Sequence, residues 1–204
     1  MLTSRYKPAL NRLINPLAAW IARRGIAPSA ITLAAPILVS VICLIFLRSR
    51  ATVPFSLAVL LAGALDGLDG AVARASGRVT KWGAYLDALC DRYVEVIVAL
   101  SVASVTGYWA LTSAALAGSL LVSYAKARAA MEVAVSNQEW PDLMERTERG
   151  LLFLAGLAAG SLLPWRPFGR DLFWWTLVLL TALVHLTALQ RVLRARRLIR
   201  ERSE

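Results

Sequence analysis

Asp66 and Asp69 stand three residues apart, and Asp87 and Asp91 four apart. On helices both spacings bring a pair to one face. Four more residues complete the stretch: Gly70, Ala73 and Arg74 follow the first pair, and Gly83 precedes the second. Helices joined by the short basic segment from Arg74 to Lys81 would be antiparallel neighbours, so the pairs can converge. Four unpaired carboxylates in one place repel one another. Divalent cations remove that conflict, and an all-oxygen donor set selects Mg²⁺ or Mn²⁺ over zinc. Two such ions about 4 Å apart would clamp a phosphoryl group. Gly70 leaves room for a phosphorylated group to approach the backbone. Arg74 is placed to meet phosphate oxygens. Gly83 would let the two helices pack closely.

The elements that must position these residues are apolar. The chain has 204 residues, 58% of them hydrophobic, with mean hydropathy +0.58, which is too apolar for an ordinary soluble domain. Charges in hydrocarbon are costly, so carboxylates in such segments mark a functional site. Residues 2–24 mix Leu, Ile and Trp20 with five basic residues and predict an amphipathic helix on a membrane surface. Pro28 predicts a helix start. Residues 25–197 divide into six predicted transmembrane helices, with the run 96–125 broken at Thr106-Gly107-Tyr108-Trp109. The expected architecture is all-α, a single membrane domain over residues 1–204. Basic clusters lie at both termini and in alternate loops, which places both termini and the aspartates on the cytoplasmic side of a cell membrane. The net charge of +10 flanks apolar spans and lines no soluble face, so nucleic acid is not expected as a partner. Cys43 and Cys90 make no disulfide framework and read as buried thiols. No cleavable signal peptide is evident in the first 25 residues.

A second basic set closes or opens later helices. Lys126 and Arg128 end the fourth, Arg146 and Arg149 open the fifth, and Arg191 closes the sixth. From composition alone these are interfacial cations obeying the positive-inside rule. Three of them from three helices could instead bind a doubly charged phosphate. Glu95, one turn after Asp91, reads as a buried hydrogen-bonding residue with Arg92 as a partner within reach. His185, the lone histidine, reads as an interhelical contact. The tryptophans near helix ends form an interfacial belt.

The pattern D-x2-D-G-x2-A-R-x8-G-x3-D-x3-D, matched here at every position, resembles the signature of the CDP-alcohol phosphotransferases. The layout of a surface helix followed by six spans is similar to that family over nearly the whole chain. The resemblance implies a two-metal enzyme that moves a substituted phosphate from a CDP-linked lipid to an alcohol and releases CMP. It implies that Asp66, Asp69, Asp87 and Asp91 ligate Mg²⁺ or Mn²⁺, with Asp91 also the general base. Thr32, Asp66, Asp69, Gly70 and Arg74 would bind the cytidine diphosphate. Ser29 stands where the family often has Asn. A homodimer is implied as well. The segments S-Y-x-K-A-R-A and E-R-x-E-R further resemble phosphatidylinositol phosphate synthases. That subgroup implies inositol 1-phosphate as acceptor, with its phosphate held by Lys126, Arg149 and Arg191. Thr147 replaces the subgroup's usual Pro, and residues 132–143 lack its glycine-rich linker.

Glycerol 3-phosphate is the alternative acceptor, since it too carries a phosphate. A membrane prenyltransferase also uses Asp-x-x-Asp pairs, but its pattern does not continue through Gly83 to Asp91. A cation transporter would favour internal repeats, and none is visible in the sequence.

Overall fold

The computed structural model describes residues 14–64, 67–133 and 143–203, and these form helices, with no strand among them. The chain divides into two compact units, Met1–Val105 and Thr106–Glu204.

In the first unit, residues 14–23 form α1, followed by α2 (Pro28–Ser49), α3 (Thr52–Ala64), α4 (Leu68–Ala75) and α5 (Lys81–Thr106). Pro28 opens α2 because its fixed φ suits a first turn that needs no N–H. Arg50 closes α2 in the left-handed region, at φ 54°, with its N–H donating to the Phe46 carbonyl at 2.8 Å. That tight reversal stacks Phe46 on Phe55 at 4.0 Å between ring centres and pins α3 to α2. The α1 residues Ile14 and Ala18 bury against Leu68, Ala71 and Val72 of α4. Of the helix expected over residues 2–24, residues 14–23 are described and pack on α4, and residues 2–13 lie outside the described residues. The Cys43 thiol of α2 lies 4.0 Å from the Ile97 carbonyl of α5.

The second unit holds α6 (Trp109–Glu132), α7 (Arg146–Leu162) and α8 (Leu172–Ser203), with a 3-10 turn at Pro167–Gly169. The expected break between α5 and α6 falls at Gly107, whose φ of 77° a side chain would resist. Both α6 and α7 pack on α8. Small residues make this possible: a methyl group at Gly118 would overlap the Val184 side chain, and one at Gly156 would overlap Thr176. Ala115, Met144, Leu180 and Val184 form the core between them. At the other end of α8, Asp171 accepts the Tyr108 hydroxyl at 2.7 Å and the Trp174 N–H at 2.8 Å. Burial, reinforced by that carboxylate, pushes the Tyr108 phenol above its ordinary range.

Among the described residues, three stretches are long and apolar enough to cross a membrane: Pro28–Ser49, Thr52–Ala75 and Leu172–Arg202. α5 falls short because Lys81, Asp87, Asp91, Arg92 and Glu95 crowd its first half. α6 carries Lys126, Arg128 and Glu132 near its end, and α7 has 17 residues, short for a span, and opens on Arg-Thr-Glu-Arg. The charges that make these helices interesting are the ones that lower their hydropathy.

Candidate active site

Asp69 sits in the first turn of α4, where a carboxylate also complements the helix dipole. Its two oxygens are held separately. Thr32, near the start of α2 and only 6% exposed, donates its hydroxyl to Oδ2 at 2.5 Å. The Gly70 N–H donates to Oδ1 at 2.6 Å. Two donors on one carboxylate, one to each oxygen, fix its orientation. A methyl group at Gly70 would stand 3.3 Å from the Arg74 guanidinium, so Arg74 folds back toward the glycine backbone.

Asp87 and Asp91 lie one turn apart on α5. The opposite side of α5 is different in kind: Trp82, Tyr85, Leu89 and Tyr93 are all exposed there. Arg92 stands 2.9 Å from Glu95 and 4.0 Å from Asp91. Glu95 thus acts as the partner of Arg92. Gly83 lies in the first turn of α5. Its N–H donates to the Thr80 hydroxyl oxygen at 2.9 Å, and among the described residues an added methyl would meet that oxygen, at 3.2 Å. Thr80 and Gly83 form the start of α5, an ordinary capping role.

Asp66 lies outside the described residues. Among those described, no group of three or more His, Cys, Asp or Glu side chains is arranged to hold a metal ion. The donor chemistry nonetheless fits a hard divalent cation: carboxylate oxygens, one of them oriented at both atoms, with the fourth carboxylate of the pattern three residues before Asp69.

In the second unit the basic residues gather at one end of the three helices. Arg191, 7% exposed, donates from Nη1 to the Val122 carbonyl of α6, one turn before Lys126. The neighbouring Gln190 accepts the Leu143 N–H at 3.1 Å, which ties the entry to α7 onto α8. Arg149, 5% exposed, donates to the Met144 carbonyl at 3.2 Å. Glu145 and Glu148 form a capping box that starts α7 just before it, with the Glu145 N–H on Glu148 Oε2 at 2.9 Å. Lys126 is partly buried. Arg128 is exposed and ion-paired with Glu132, which separates it from the set. Burying two arginines is costly unless their charge is used or compensated. His185 makes the expected interhelical contact, its Nε2 lying 3.2 Å from the Ala114 carbonyl.

Residues 25–184 match the family model for CDP-alcohol phosphatidyltransferases. The chain belongs to the CDP-alcohol phosphatidyltransferase family. It is therefore a transferase of the membrane, in keeping with its apolar helices. It is 32% identical to the archaetidylinositol phosphate synthase of Methanothermobacter thermautotrophicus over 94% of this chain and 93% of that one. It is 34% identical to the phosphatidylinositol phosphate synthase of Mycobacteroides abscessus over 71% of this chain and 68% of that one. The fold is similar to the crystal structure of the Mycobacterium tuberculosis phosphatidylinositol phosphate synthase with CDP-DAG bound. The TM-score is 0.77 at 26% identity, over 90% of this chain and 94% of that one. A further structure of that enzyme is in complex with manganese and citrate, and matches with a TM-score of 0.77 at 25% identity, over 89% of this chain and 88% of that one.

Two contacts of this CDP-alcohol phosphatidyltransferase have no signature in its sequence. Thr32 is expected at the nucleotide, but its hydroxyl is engaged by Asp69 and, at 3.2 Å, by the Pro28 carbonyl. Gln190 stands in the sequence only as the neighbour of Arg191, with no signal for its bond to Leu143.

Proposed function

We propose that this protein transfers a phosphatidyl-type group from CDP-diacylglycerol, or a similar CDP-lipid, to inositol 1-phosphate and releases CMP. The observation that carries the acceptor is the pair of buried arginines, Arg149 and Arg191, at one end of the α6–α8 group beside Lys126. A neutral acceptor would make no use of those charges. The relatives named for inositol phosphate products support the same choice.

Asp66, Asp69, Asp87 and Asp91 would hold two divalent ions, Mg²⁺ or Mn²⁺, whose chemistry when bound is to neutralise charge on the diphosphate. Gly70 leaves the backbone open to the diphosphate, and Arg74 pairs with its oxygens. Thr32 contributes by orienting Asp69, and the nucleotide lies near it. Asp91 takes the proton from the acceptor hydroxyl. The acceptor oxygen bonds to the lipid-bearing phosphorus, the bridge to the cytidine phosphate breaks, and CMP leaves with that electron pair. Lys126, Arg149 and Arg191 hold the acceptor phosphate, so that positioning supplies much of the rate. The chain works as one membrane domain of six spans, α2, α3–α4, α5, α6, α7 and α8, with both termini cytoplasmic and a homodimeric assembly.

An acceptor screen tests this. Purified protein with CDP-diacylglycerol and Mg²⁺ is expected to release CMP with inositol 1-phosphate, and more slowly with glycerol 3-phosphate, free inositol or serine. Faster turnover with glycerol 3-phosphate would move the assignment to that acceptor. A smaller prediction concerns Thr32→Val. It keeps the shape and removes the donor to Asp69, and a hydrogen bond to a charged group is worth roughly 2 kcal/mol. CMP release should fall by about 30-fold, with a higher metal requirement. An unchanged metal titration would show that Thr32 does not orient Asp69.

A further inference from the structure

One exposed face of α8 changes character along its length. Leu179, Leu186, Leu189 and Leu193 are 51–56% exposed on this face, while Leu180, Val184, Thr187 and Arg191 are buried on the other. Beyond Leu193 the exposed face continues as Arg196, Arg197 and Arg200. These arginines and Leu193 line a shallow surface groove together with Glu201. The spacing 186, 189, 193, 196, 197, 200 follows the 3-and-4 step of one helical stripe. The apolar part, from Leu172 to Leu193, measures about 33 Å at the helical rise of ~1.5 Å per residue, close to the ~30 Å hydrocarbon core. Trp174 and Trp175 mark its other end, as interfacial aromatics do. The arginines therefore begin where hydrocarbon gives way to headgroups. Arg197 is partly compensated by Glu201, its Nε standing 2.7 Å from Oε1. The stretch from Arg194 to Arg202 still carries five arginines against that one glutamate.

We propose that Arg196, Arg197 and Arg200 bind the anionic lipid surface of the leaflet at the C-terminal end of α8. This rests on the membrane reading of α8 and not on the identity of the acceptor. The site gives the enzyme a collar of anionic lipid, the chemical class to which CDP-linked lipid donors also belong. Guanidinium groups suit phosphodiester headgroups because each offers several donors to phosphate oxygens, and each basic residue near an anionic leaflet attracts it independently of the catalytic residues.

The test uses the full chain in phosphatidylcholine bilayers with no substrate present. A trace of spin-labelled phosphatidylglycerol or phosphatidylcholine reports the motionally restricted lipid. The wild-type protein should restrict phosphatidylglycerol preferentially. The variant with Arg196→Gln, Arg197→Gln and Arg200→Gln should lose that preference by at least about fivefold, the weight of roughly one surface charge. The matching triple Lys variant should retain most of it. Undiminished preference in the Gln variant would overturn the proposal. So would loss of the preference on adding millimolar inorganic phosphate, which would indicate a small-phosphate site in place of a lipid surface. CMP release in pure phosphatidylcholine should be the same for wild type and the Gln variant, which shows the variant is folded. Should neither release CMP while the lipid preference behaves as described, the transferase assignment fails and the lipid site stands.

Discussion

Asp91→Asn is expected to lower CMP release by about a thousandfold, within the range by which a positioned general base accelerates proton transfer. The substitution keeps size and most contacts of a side chain that is only 15% exposed on α5. It removes the negative charge and the basicity together. These two losses separate in a metal titration. If Asp91 served as a ligand alone, raising Mg²⁺ or Mn²⁺ would restore the rate of Asp91→Asn toward wild type. If it is also the base, the rate stays low at saturating metal, because no ion replaces the proton acceptor. Asp87→Asn is the internal comparison, expected to shift the metal requirement and to recover more of its rate. Full recovery of Asp91→Asn would remove it from the proton transfer.

Arg191→Ala is expected to raise KM for inositol 1-phosphate by about 10- to 100-fold, the worth of a charge-assisted hydrogen bond of roughly 1.5–3 kcal/mol. The KM for the CDP-lipid should hardly move. The side chain also donates to the Val122 carbonyl, so truncation will lower stability as well. The Arg191→Lys substitution keeps the positive charge but not the planar fork, and should recover part of the acceptor affinity. Equal rises in both KM values, following the loss of thermal stability, would make Arg191 a bridge between α6 and α8 with no acceptor role. Arg149→Ala and Lys126→Ala extend the comparison. Arg128→Ala is the control, since its charge is already paired with Glu132.

The aspartate spacing and the helix order were legible because both depend on residues close in sequence. Asp87 and Asp91 share a helix turn whatever surrounds them. Pro28 starts a helix, and Gly107 ends one, for reasons of backbone geometry alone. The motif from Asp66 to Asp91 also indicated the family, since few chemistries need acidic pairs, a glycine and an arginine at those intervals. The boundaries of α5, α6 and α7 fell within a few residues of those expected, whereas α8 continues through its arginine-rich segment to Ser203, beyond the expected close near Arg191.

Other features depended on partners far along the chain. The Thr32 hydroxyl reaches a carboxylate 37 residues away, and Arg191 reaches a carbonyl 69 residues away. Gly118 matters because Val184 occupies the space beside it, and Gly156 because Thr176 does. No local pattern encodes such pairs: which side chain fills a gap is decided when helices pack and all their neighbours are fixed at once. By itself the sequence determined which residue types carry the chemistry and on which helices they stand, through spacing and charge. The tertiary structure alone decided that Thr32 holds Asp69 in place and that Arg149 and Arg191 are buried while Arg128 is not, because burial and donor geometry exist only after packing.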